Sequence, residues 1–195
     1  MRTSLVPVAI VAALVLLAAP AHAEEGTLKL TAGTFQLGGD VGLTSMVDST
    51  AGKTNAGFVF SFSPSAGYFV VDNLELLLAL QLTIPFGDYY SGGYNFLLFP
   101  KRFGAEVGAR YHFNLAPRVT AYAGLQVGVG YTWYENAFVR NSTDLSVTLP
   151  AGVLIAVHEN VAIDAGLRLI LNRFFDADVW RFTVPVGYLG VEAYF

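Results

Sequence analysis

The sequence predicts an all-β fold, an eight-stranded antiparallel up-and-down β-barrel that crosses a membrane. Three observations predict it. Apolar residues recur at every second position through segments of about ten residues, the length a tilted membrane strand needs. Apolar residues make up 54% of the 195 and charged ones only 13%, against about a quarter charged in an ordinary soluble domain. Short links alternate with long ones, as the turns and outer loops of a membrane barrel do.

Composition narrows the function classes. Beyond the amino-terminal segment there is no run of about 18 apolar residues, which excludes a helical membrane bundle. Twenty Gly, fifteen Phe, ten Tyr and two Trp suit tight turns and aromatic girdles. The formal charge is −4 without a basic cluster, which argues against nucleic acid. With no cysteine, disulfides, thiolate metal sites, cysteine catalysis and a cysteine-linked lipid anchor are all impossible.

Residues 1–23 read as a cleaved secretory signal that exports the chain through the Sec route. Arg2 supplies the positive start, Leu5 to Ala19 the apolar run, and Ala21-His22-Ala23 the small-x-small site before Glu24. A membrane anchor is the competing reading, and the run is short for one. Residues 24–195 then form a single barrel domain. Its first strand is expected at about 27–37, with Leu28, Leu30 and Ala32 on one face and Lys29 and Thr31 on the other. The parity slips near Gly33, since Phe35 and Leu37 fall on the wrong face, so a bulge is expected there. A long outer link is expected over 38–57.

The middle of the chain is clearer. Residues 58–70 set Phe58, Phe60, Phe62, Ala66 and Tyr68 against Ser61, Ser63, Ser65 and Gly67. Residues 74–86 set Leu74, Leu76, Leu78, Leu80, Leu82 and Ile84 against Glu75, Leu77, Ala79, Gln81 and Thr83. No helix keeps a period of two for so long. Residues 103–113 set Phe103, Val107 and Tyr111 against Glu106, Arg110 and His112. Strands at 119–133, 145–157 and 161–171 follow, the last with Asp164 and Arg168 on its minority face. The final strand, 181–195, sets Pro185, Gly187, Leu189, Val191 and Ala193 against Tyr188, Gly190, Glu192 and Tyr194. Short links fall at 71–73, 114–118 and 158–160, and long ones at 87–102, 134–144 and 174–180. A soluble barrel would invert the pattern, with its charges outside.

This alternation, closed by a strand that ends on Phe195, resembles the small outer-membrane β-barrels of Gram-negative bacteria, the OmpA/OmpX-like group. Ala193 departs from the aromatic that many members carry two residues before the last. The resemblance implies an outer-membrane location and a monomer, with Phe195 as the signal read by the barrel assembly machinery. It also implies escort by periplasmic chaperones and contact with outer-membrane lipids and lipopolysaccharide. It implies a structural or surface-interaction role through the outer loops. A narrow channel for small or hydrophobic solutes, similar to OmpW-like barrels, is a second class. A lipid-modifying enzyme, similar to the lipid A deacylase and palmitoyltransferase barrels, is a third.

Seven charges fall on inward faces: Lys29, Glu75, Glu106, Arg110, Asp164, Arg168 and Glu192. In a barrel this narrow they should pair into a plug, the alternative being an ion path. Neither a cofactor nor a metal is expected. His112 and His158 lack a ligand partner at useful spacing and are expected as solvated rim residues. Ser61, Ser63 and Ser65 lack a histidine at their level to serve as base. Tyr131, Trp133 and Trp180 are expected in the interface belt. Tyr89, Tyr90, Tyr94 and Phe96 belong either to that belt or to an adhesive or sugar-binding crown. Ala51-Gly52-Lys53-Thr54 lacks the leading glycine of a phosphate loop, and Asn141-Ser142-Thr143 is a sequon only by letters.

Overall fold

The computed structural model describes residues 28–50, 53–86, 101–133, 141–175, 179–183 and 187–195. The expected signal segment and the loop tyrosines at 89–94 lie outside them. Among the described residues there are nine strands: β1 Phe35–Thr50, β2 Lys53–Val71, β3 Leu74–Phe86, β4 Lys101–Ala116, β5 Val119–Trp133, β6 Ser142–His158, β7 Val161–Phe174, β8 Val179–Thr183 and β9 Tyr188–Tyr194. Each pairs antiparallel with its sequence neighbour through β7, and β9 pairs with both β7 and β1, closing the barrel. β8 and β9 are two pieces of the eighth stave.

The break in that stave is a change of register. Ile170 pairs with Thr183, whereas Gly166 pairs with Tyr188, so the last stave carries one residue more than its partner. The outward face changes parity accordingly. Trp180 and Phe182 are exposed on β8, while Val191 is exposed on β9. The continuous strand expected over 181–195 is therefore bulged. Gly187, at φ +151°, takes a backbone angle that side-chain-bearing residues avoid.

The outer surface is apolar, as lipid requires. Leu76, Leu78, Val107, Leu125, Val129, Leu149, Leu167 and Val191 are all 48–58% exposed. Two aromatic levels bracket them. Near the short turns Phe35 packs tilted against Tyr68 with ring centres 4.8 Å apart, and Tyr111 meets Phe113 edge-on at 4.9 Å. Phe103, Tyr131, Trp180 and Phe182 are exposed at the opposite end, where Trp133 stacks on Tyr131 at 6.4 Å. Phe103 and Tyr111 on β4 lie about 20 Å apart along the barrel axis, for a strand tilted by about 40°. That is close to the height of a membrane barrel's apolar band.

The first strand differs from expectation. Residues 28–34 are not a strand but a strap across the mouth at the turn end, and β1 occupies Phe35–Thr50, where a loop was expected. The strap is held by backbone bonds from Asn73 N to Leu30 O at 2.8 Å and from Gly33 N to Phe69 O at 2.9 Å. Leu28 and Leu30 turn inward and pack with Phe69, Tyr122, Leu154, Ala156, Ala162 and Tyr194 into an apolar floor. Their alternation reflects this floor, since burying a leucine there gains about 1.5–3 kcal/mol. The parity of Phe35 and Leu37, 58% and 56% exposed, belongs to the true strand, and no bulge is needed.

Candidate functional site

The lumen is built outward from β4. Arg102, Glu106, Arg110 and His112 all project inward from it, with Gly104 and Gly108 between the charges. An eight-stranded barrel has room only for side chains, so long ones must lie flat against the next strand. Glycines make that possible. Glu106 pairs with Gly128 and Arg110 with Gly124, and a Cβ on either glycine would sit 2.5 Å from Glu106 Cγ or 2.9 Å from Arg110 Cγ. Tyr122 crosses Gly152 in the same way, with 2.6 Å from its hydroxyl to the position of a Cβ.

Arg110 staples four strands together. Its Nη1 donates to Glu192 Oε1 on β9 at 2.7 Å and its Nε to Glu75 Oε2 on β3 at 2.9 Å. Asp164 Oδ2 on β7 lies 3.9 Å from Nη1. Hydroxyls supply further donors. Tyr194 donates to Glu192 Oε2 at 2.5 Å and Tyr122 to Asp164 Oδ1 at 2.6 Å, and the Tyr122 and Tyr188 hydroxyls meet. His112 Nε2 lies 3.1 Å from Glu75 Oε2.

Two further clusters lie toward the opposite end. Arg168 grips Asp40 on β1 and lies 4.1 Å from the centre of the Tyr188 ring. Arg102 donates to both oxygens of Asp144 at 3.1 and 2.7 Å and to Gln81 Oε1 at 2.5 Å, while Asn172 donates to Asp144 at 2.8 Å. Between the clusters, Asp40, Arg110, Asp164, Arg168, Tyr188 and Glu192 surround a cavity of about 10 Å³, room for about one water. This arrangement binds strands together and fills the bore. Among the described residues, no group of three His, Asp or Glu side chains could hold a metal.

Six of the seven expected lumen charges, Glu75, Glu106, Arg110, Asp164, Arg168 and Glu192, lie inside the bore. Lys29 does not: it is exposed on the strap, because the strap replaced the expected first strand. His112 also differs from its expected place on a wetted rim. It is 1% exposed, shut in by Phe69 and Tyr122 at 5.3 and 5.8 Å. His158 is exposed at its turn. Sequence reasoning missed Asp40, Arg102 and Asp144, which it placed in outer links. The strands run further than their apolar alternation, and for Arg102 and Asp144 the available signal was a charged residue at inward parity directly beside the expected strands 103–113 and 145–157. It also read Tyr188 and Tyr194 as minority-face residues without a role, and gave none to Tyr122.

A family model described as "Outer membrane protein beta-barrel domain" matches residues 9–188. Among solved structures, Neisserial surface protein A is similar with a TM-score of 0.54 at 19% identity, covering 83% of this chain and 97% of its own. The N-terminal β-barrel domain of Pseudomonas aeruginosa OprF is similar with a TM-score of 0.54 at 17% identity, covering 84% and 98% respectively. No curated protein matches the sequence. At such identities the structural likeness speaks for the fold alone.

Proposed function

The chain belongs to the outer membrane protein β-barrel domain family, and from that premise we propose that it is a closed, non-enzymatic surface barrel. Its lumen holds the strands together, and its outer loops do the work of contacting lipopolysaccharide, ligands or other cells. One observation carries the reading: the bore is filled by ion pairs around Arg110 and floored by Leu28, Leu30 and Phe69. A continuous aqueous path needs a gap that those side chains occupy.

The same reading takes residues 1–23 as the Sec signal, removed on export. It takes Phe195 and β9 as the segment handled by periplasmic chaperones and the barrel assembly machinery, and the folded protein as a monomer in outer-membrane lipid. A lipid-modifying enzyme is disfavoured by the serines. Ser63 is engaged by Arg168 at 3.3 Å, and His112 is committed to Glu75, so this serine and this histidine do not make a nucleophile and base.

Single-channel recording of the refolded protein in a planar bilayer tests the proposal. We expect a silent bilayer, and openings once Arg110→Ala and Arg168→Ala are combined. Steady discrete openings from the unmodified protein would replace this reading with the narrow-channel one.

A further inference from the structure

We propose that Glu106, Ser146 and Thr148 form a binding site for one small monovalent cation, sodium or potassium, in the middle of the lumen. The inference stands whether or not the outer loops do the work proposed above.

Among the described residues, Glu106 is the lumen carboxylate that no arginine serves. Asp40 has Arg168, Asp144 has Arg102, and Glu75, Glu192 and Asp164 share Arg110. Arg102 and Arg110 flank Glu106 on β4, each about 13 Å away along the strand, and both are committed to those partners. Glu106 is 1% exposed. Its Oε1 accepts hydrogen bonds from Ser146 Oγ at 2.7 Å and Thr148 Oγ1 at 3.0 Å. Its Oε2 is enclosed and has no partner among the described residues.

The choice of occupant follows from the donors. An ionised carboxylate enclosed without a countercharge is costly. A proton on Oε2 would be enclosed without an acceptor, and a proton on Oε1 would require Ser146 or Thr148 to turn its own hydroxyl proton away. The two hydroxyls that donate to Oε1 suit an ionised group, and each keeps lone pairs free to ligate a cation. Ser146 and Thr148 are both fully buried, so these oxygens are fixed in place. A single carboxylate balances a single positive charge. A calcium ion takes six to eight oxygens, usually from several acidic groups, and the site has fewer. Gly128 is what permits the arrangement, because it lets Glu106 lie across β5 and reach β6.

The test is the thermal unfolding midpoint of the barrel refolded in detergent micelles. It is recorded against rising sodium or potassium chloride, with N-methylglucamine chloride holding ionic strength constant. We expect the wild-type midpoint to rise and saturate with either metal ion. Glu106→Gln keeps the size and an acceptor for both hydroxyls, and its midpoint should not respond. The double variant Ser146→Ala and Thr148→Val retains the carboxylate and should need about tenfold more cation for half the rise. If Glu106→Gln fails to fold, the wild type and the double variant carry the comparison, and equal half-saturation in the two overturns the site. Equal responses in wild type and Glu106→Gln, or no response in the wild type, also overturn it. A midpoint that follows pH through Glu106 but ignores the metal ions would assign the site a proton instead.

Discussion

Arg110 and Arg102 project from the same face of one strand into the same bore, yet they are held differently. Arg110 meets three carboxylates from three other strands and keeps 5% of its side chain exposed. Arg102 meets one carboxylate and one amide and keeps 14% exposed. The deeper guanidinium loses more water, so it requires more acceptors to replace it. The acids gathered there outnumber their cation, and other donors supplement it: the Tyr122 and Tyr194 hydroxyls serve Asp164 Oδ1 and Glu192 Oε2, while His112 shares Glu75 Oε2 with Arg110. The difference teaches that the turn-side half of the bore is the more tightly sealed, whereas in the outer half the arginine, though not its partner Asp144, keeps some contact with water.

Four substitutions sharpen or break that contrast, each read as the urea unfolding free energy of the refolded barrel. Arg110→Ala should cost the most, about 3–5 kcal/mol, because Glu75 and Glu192 would be left buried and unpaired. A cost near zero would mean that water reaches that level and the half is not sealed. Leu30→Ala should cost about 2–4 kcal/mol by opening the floor, and should raise bilayer leakage when combined with Arg110→Ala. Arg102→Ala should cost less, about 1.5 kcal/mol, since water can replace part of what Asp144 loses. A loss equal to that of Arg110→Ala would erase the distinction between the halves. Lys29→Ala should leave stability unchanged, as expected of an exposed strap residue. A clear loss would return Lys29 to the lumen.

The glycines of the bore explain a further part of what the chain encodes. Gly67 reads in sequence as a small minority-face residue, and Gly124, Gly128 and Gly152 hold the same inward parity on their strands. In the barrel each is the floor on which a neighbouring Glu, Arg or Tyr lies flat. The pairing of glycine with a long polar side chain is a cross-strand fact. It becomes visible only once the register places Glu106 beside Gly128 and Arg110 beside Gly124.

The period of two by itself determined the strands from β2 through β7, their lipid-facing sides, and the inward placement of Glu75, Glu106, Arg110, Asp164, Arg168 and Glu192. Side-chain direction in a strand is a local property, and a membrane filters it strongly. Only the tertiary structure decided the strap, the long β1, the bulge between β8 and β9, and the burial of His112. Leu28 and Leu30 alternate as a strand would, but they gain more by covering Phe69 and Leu154 than by facing lipid. Which carboxylate an arginine reaches is likewise a matter of register and barrel closure. Arg110 and Glu192 are 82 residues apart in sequence and 2.7 Å apart in space, and no local pattern carries that distance.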